Sequence, residues 1–190
     1  MSNIVLQDLR QSIDYIDSAF MFALAERVRI LIKIGLVKQH LQLSFSYSNA
    51  RKEDLKKTFI LAHELLMDEA FIERLFSTLY DYAQSMMSSI DWQHYMQNLV
   101  LLPDSTLDKL REHIFRIDQT LCYLLAERFA LVKQVGNYKK QRGMSALVLS
   151  RWQEVLQKKL HLGEKLGVDA ALITTIFEMV HEYALALESN

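Results

Sequence analysis

A chain of 190 residues, 51% hydrophobic and 24% charged, has enough apolar material to bury a core and is no disordered polymer. Twenty-two Lys and Arg against 23 Asp and Glu leave a formal charge of −1, which excludes the global attraction to nucleic acid or anionic membrane of a basic chain. Five Gly and one Pro, Pro103, are too few for the turns of a sandwich, a barrel or an α/β fold, so composition predicts an all-α fold with few connections.

In chain order, the opening MSNIVLQDLR has neither the basic segment nor the apolar core of a signal peptide. Leu6, Leu9, Ile13, Ile16, Phe20 and Leu24 recur at helical spacing and predict a first helix over about residues 4–43. Its most apolar stretch, 19–37, carries Glu26, Arg27, Arg29 and Lys33 and so does not span a bilayer. A polar loop at 44–49 leads to a second helix over about 51–66, and Asp68 is an N-cap for a third that ends near Met87. The stretch 89–104, with Pro103, is a linker with room for a short helix around 92–98. Asp104-Ser-Thr caps a long helix over about 107–141, which Arg142-Gly143 breaks. Helices over about 149–166 and 169–188 complete the chain, with Gly167 where a helix stop is expected. The lone Cys122 excludes an intramolecular disulfide and a cysteine-based zinc site, and a cytoplasmic setting is expected.

The same outline appears twice. A shift of 101 residues lays 9–38 on 110–139, and eleven of the 30 positions are then identical. Among them are Arg10/Arg111, Asp17/Asp118, Arg27/Arg128, Gly35/Gly136 and Lys38/Lys139. Unrelated amphipathic helices would match at roughly three or four. The chain therefore reads as a tandem duplication, 1–88 and 105–190, joined by the linker 89–104. A first helix of about 38 residues is a rod of about 57 Å. A compact chain of this length has a radius of gyration of about 16 Å, so the rods are expected to cross the molecule and make the halves intertwine around one shared core.

The residues suited to chemistry are cations. Arg27 and Lys38 are 11 residues apart, three helical turns, on one helix face, and Arg128 and Lys139 repeat the spacing. Two such side chains can grip a small dianion. Arg10 lies 17 residues before Arg27, too far for the same ligand, so it is expected to serve a site built mainly by the other half. No glycine-rich phosphate loop and no matched Ser/His/Asp set accompanies the cations, and the six histidines show no HxxxH or HExxH spacing, so no metal site is expected.

The second half, LDKLREHIFRIDQTLCYLLAERFALVKQVGNYKKQ with SRWQEVL and a closing VDAALITTIF helix, resembles the all-helical chorismate mutase family over about residues 107–188. The first half, LRQSIDYIDSAFMFALAERVRILIKIGLVK, resembles the same signature more weakly. Family members are typically intertwined homodimers of about half this length, so the resemblance implies a dimer rewritten as one chain. It also implies a pocket in the second half made of Arg128, Lys139 and Arg151, with Arg10 supplied by the first half. Arg128 and Arg10 would take the two substrate carboxylates, Lys139 the ether oxygen, and Arg151 would support the carboxylate end. Glu188 stands where a Gln usually faces the ether oxygen, and Ala184 would form part of the wall. Trp152 stands where a Glu usually binds the substrate hydroxyl, and Val148 where a loop acid is usual.

The corresponding first-half pocket would hold Arg27, Lys38 and Arg111, with Arg51 in question because the loop before it is one residue longer. Met87 replaces Glu188, and a thioether cannot donate a hydrogen bond, so this pocket is expected to be inert. The leading expectation is a monomeric chorismate mutase that uses no cofactor and turns chorismate into prephenate. The alternatives are an isochorismate-pyruvate lyase or another chorismate-type enzyme on the same fold, and a non-catalytic ligand-binding or regulatory protein with a protein partner. In each case the ligand is a small dicarboxylate, chorismate or isochorismate, with no nucleic acid and no membrane.

Overall fold

Helical periodicity is realised in six helices among the described residues. The computed structural model describes residues 2–44, 48–92, 105–145 and 149–189. The helices are α1 (Ser2–His40), α2 (Ser48–Glu64), α3 (Glu69–Ser89), α4 (Ser105–Lys140), α5 (Leu149–Leu166) and α6 (Ala170–Ser189), with no strand among the described residues. Most of the linker, 93–104, lies outside the described residues, as does the Asp104 cap. The Asp68 cap is formed: its side chain accepts a hydrogen bond from the Phe71 amide at 2.8 Å. Asp169 does the same for Leu172 at 3.0 Å, at the start of α6.

The chain divides into two compact units, and their boundaries fall inside the long helices. One unit is Met1–Ala25 with Leu121–Asn190, and the other is Glu26–Thr120. Each unit therefore contains the beginning of one repeat's long helix and the remainder of the other repeat's. In the first unit α5 packs on α6, and Phe20 meets Phe177 edge-on at 5.9 Å. Met21, Leu24, Leu121, Leu125, Ile173 and Ile176 are buried around them. The helix α6 is long and apolar enough to cross a membrane by length and composition, and Ile173, Ile176, Phe177 and Val180 bury that apolarity inside the unit.

In the second unit α2 packs on α3, and Ile30, Ile34, Ile72, Leu75, Phe76 and Leu79 form the core. The two units differ at their matched glycines. A Cβ at Gly136 would lie 2.9 Å from the Glu188 Cα, so the absent side chain lets α4 approach the end of α6. A Cβ at Gly35 would run into the Trp92 indole, which is buried there and donates from Nε1 to the Met87 carbonyl at 3.0 Å.

Helix endings repeat as well. Gly167 closes α5 at φ 71°, with Val168 N donating to the Gly163 carbonyl at 2.9 Å. Leu66, 101 positions earlier, closes α2 at φ 55° with Met67 N donating to the Ala62 carbonyl at 2.9 Å. A left-handed conformation costs an L-residue with a Cβ about 1–2 kcal/mol, and the Leu66 side chain, 88% exposed, recovers nothing by burial. Leu66→Gly is expected to stabilise the chain by about 1 kcal/mol, read as a melting temperature raised by about 2–4 °C.

Candidate active site

The spacing of α1 assembles one side of a cleft. Arg10, Asp14 and Asp17 follow each other at four and three residues and so share a face, with Ile13 between them. In α4, Arg128, Val132, Val135 and Lys139 form a second face of the same kind. The start of α5 contributes Arg151 and Trp152, and the end of α6 contributes His181, Ala184 and Glu188. All of these line a single cavity of about 110 Å³ inside the first unit.

Arg128 is 7% exposed and its Nε donates to Asp17 Oδ1 at 2.7 Å. Its Nη1 is buried without a hydrogen-bond partner, and so is Asp17 Oδ2. A buried guanidinium N–H that nothing accepts is costly unless a ligand comes to it. Lys139 Nζ donates to Glu188 Oε2 at 2.6 Å, both groups almost fully buried. Arg151 Nη2 forks onto both oxygens of Asp14, at 2.8 and 3.0 Å, and its Nη1 reaches Glu154 at 3.1 Å. Arg10, half-buried at the cleft, makes no hydrogen bond or ion pair among the described residues. Two cations lining one cleft, Arg128 held by Asp17 and Arg10 without a partner among the described residues, form a receptor for carboxylates.

Sequence reasoning missed three participants. Asp14 and Asp17 were legible from their spacing to Arg10, but nothing in the chain order says which arginine each would meet. His181 lies in the cleft wall with its ring stacked on Trp152, centroids 4.0 Å apart and planes 1° from parallel. The stack covers the place where an acid was expected after Arg151. Burial first, then the charges of Arg128 and Lys139, hold the His181 imidazole below its ordinary pKa, with Glu182 opposing. The unfolded chain therefore takes up this proton first as pH falls, so the group withdraws stability as pH drops below about 6.5. His181→Phe is expected to flatten the acid side of the stability–pH curve, measured by chemical unfolding between about pH 7 and 5.

In the second unit the matched residues are closed in on themselves. Arg27, 1% exposed, donates from Nε and Nη2 to the two oxygens of Asp118 at 2.6 and 3.3 Å and lies over the Tyr80 ring at 5.4 Å. Burial, with help from Arg111, pushes Lys38 below the usual ammonium range. Arg111 is itself half-exposed and paired with Asp108 at 3.1 Å. Met87 is buried. The side chain of Arg51 and the whole of Val148 lie outside the described residues.

The family model for chorismate mutase type II matches the chain twice, over residues 9–86 and 110–189. The chain belongs to the chorismate mutase type II family. It is 31% identical over 80 residues to a bifunctional chorismate mutase/prephenate dehydratase of Buchnera aphidicola subsp. Acyrthosiphon pisum, which covers 42% of this chain and 21% of that protein. It is 34% identical over 84 residues to the T-protein of Haemophilus influenzae, covering 44% of this chain and 22% of the relative. The chain thus spans about a fifth of the length of these curated relatives. No solved structure matches it. The double match agrees with the internal repeat, and both matched segments contribute side chains to the cleft of the first unit.

Proposed function

We propose that the cleft of the first unit is a chorismate mutase site. The observation that carries this reading is the buried, unpartnered Nη1 of Arg128 beside Arg10 and Lys139 in one cavity. The rearrangement is pericyclic, so the chain needs no nucleophile. It must hold the substrate folded and set positive charge where the breaking C–O bond leaves negative charge on oxygen. Arg128 takes one carboxylate through its open Nη1, and Arg10 takes the other. Lys139 turns from Glu188 to the ether oxygen, and a protonated Glu188 donates to the same oxygen from its other side. Arg151, held by Asp14, supports the carboxylate end, and Trp152 and His181 form the flat wall.

Glu188→Gln tests the part assigned to the acid. An amide donates at any pH and does not neutralise Lys139, whereas a carboxylic acid must keep its proton. The variant is expected to move the pH optimum upward, and an unchanged pH profile would remove Glu188 from the reaction.

The stack of Trp152 on His181 gives a second reading its footing. Without an acid for the substrate hydroxyl, the site also suits isochorismate-pyruvate lyase chemistry. Incubating the pure protein with chorismate and with isochorismate, and following prephenate, salicylate and pyruvate, separates the two. No turnover with tight binding of a dicarboxylate would make it a sensor or regulatory protein. Cys122, a buried cysteine outside any disulfide, fits a cytoplasmic setting, and the tandem repeat fits a monomer. A scattering mass twice that of one chain would overturn the monomer.

A further inference from the structure

Lys159 is a buried cation that the reaction described above does not use. It is 3% exposed, on α5, and its Nζ lies 3.6 Å from Asp17 Oδ2, the oxygen that Arg128 leaves alone. The lysine does not line the cleft, and Asp17 stands between it and Arg128. Burial lowers its pKa, while Asp17 and Asp14 oppose that shift and Arg128 adds to it.

The formal charges say what such a group can do. Arg10, Arg128, Lys139 and Arg151 line the cleft against Asp14, Asp17 and Glu188. Lys159, behind Asp17, adds a further buried positive charge to that set. The second unit supplies the contrast: Asp118 there takes Arg27 through both Nε and Nη2, and Thr58, 101 positions before Lys159 and also buried, brings no charge. In the first unit Arg128 donates to Asp17 through Nε alone.

We propose that Lys159 is a positioning residue that pairs with the second oxygen of Asp17, keeps that carboxylate from closing as a fork on Arg128, and so leaves Arg128 available to a dicarboxylate. This inference rests on the cleft being a dicarboxylate site. Without the lysine, Asp17 neutralises Arg128 and can close on it as Asp118 does on Arg27.

The test is calorimetric binding of a dicarboxylic transition-state analogue of the chorismate rearrangement to the full chain. Lys159→Met is expected to weaken binding about tenfold or more, the effect of losing one buried positive charge behind Asp17 at an effective dielectric of about 20. It should raise KM more than it lowers kcat. Binding within twofold of the unaltered chain overturns the proposal. Asp17→Asn/Lys159→Met removes both buried charges together, while the asparagine Oδ1 still accepts from Arg128 Nε. This double variant is expected to bind at least about threefold more tightly than Lys159→Met, because the lost charge of Asp17 offsets the lost charge of the lysine. A lysine needed only for packing would leave the double variant as weak as the single one, or weaker, and that result also overturns the proposal. If the unaltered chain binds no dicarboxylate, the reading of the cleft itself fails, an outcome distinct from tight binding that is indifferent to Lys159.

Discussion

Arg128→Ala is expected to abolish measurable binding of a dicarboxylate transition-state analogue. The substitution removes the guanidinium that, among the described residues, is buried with a donor left unpartnered. A charged fork to a carboxylate in a dry site contributes about 3 kcal/mol or more, so affinity should fall by over a hundredfold. The same change leaves Asp17 buried with only Lys159 nearby at 3.6 Å, so the chain should also melt lower. Circular dichroism separates the two effects, because Arg128→Lys keeps the charge against Asp17 while losing the planar fork. A folded Arg128→Ala chain that binds as tightly as the unaltered one would move the site elsewhere.

Arg10→Ala and Arg111→Ala, matched positions of the repeat, are expected to differ by orders of magnitude. Arg10 lines the cleft with Arg128 and Lys139 and has no internal partner among the described residues, so its loss falls entirely on the ligand. A drop in kcat/KM of a hundredfold or more is expected. Arg111 belongs to the other unit, where it pairs with Asp108 on the surface and acts on Lys38 only through its charge. Its removal should leave turnover nearly intact, because Arg27 there is consumed by Asp118 and Met87 cannot donate. Steady-state kinetics on the two variants decide the matter. The opposite ranking would make the second unit the active one, and small equal effects would favour a non-catalytic ligand-binding protein.

The helices and their repeat were legible in the sequence because both depend on local chemistry. Apolar residues at helical spacing, Asp68 and Asp169 at helix starts and Gly167 at a helix end act within a few residues of themselves. The cations of the candidate site were legible for a related reason, since Arg10, Arg128 and Lys139 recur in register with Arg111, Arg27 and Lys38, respectively. Some of their neighbours were visible but mute. Asp17 and Asp118 repeat as faithfully as the arginines, yet local pairing would have matched Arg27 with Glu26 and Arg128 with Glu127. The structure pairs Arg128 with Asp17, 111 residues away, and Arg27 with Asp118, 91 away.

By itself, the sequence determined an all-α chain, a duplication offset by 101 residues and a set of cations suited to a small dianion. Tertiary structure alone decided which carboxylate neutralises which cation. That choice turns on long-range packing: α1 brings Asp14 and Asp17 to Arg151 and Arg128, and α5 brings Lys159 to the oxygen that Arg128 leaves open. It also decided that His181, anonymous among six histidines, stacks on Trp152 in the wall of the cleft. Burial is the physical reason. In water each of these charges would be screened and nearly equivalent, whereas in a dry interior the partner a few ångströms away determines whether an arginine is spent on its own fold or kept for a ligand.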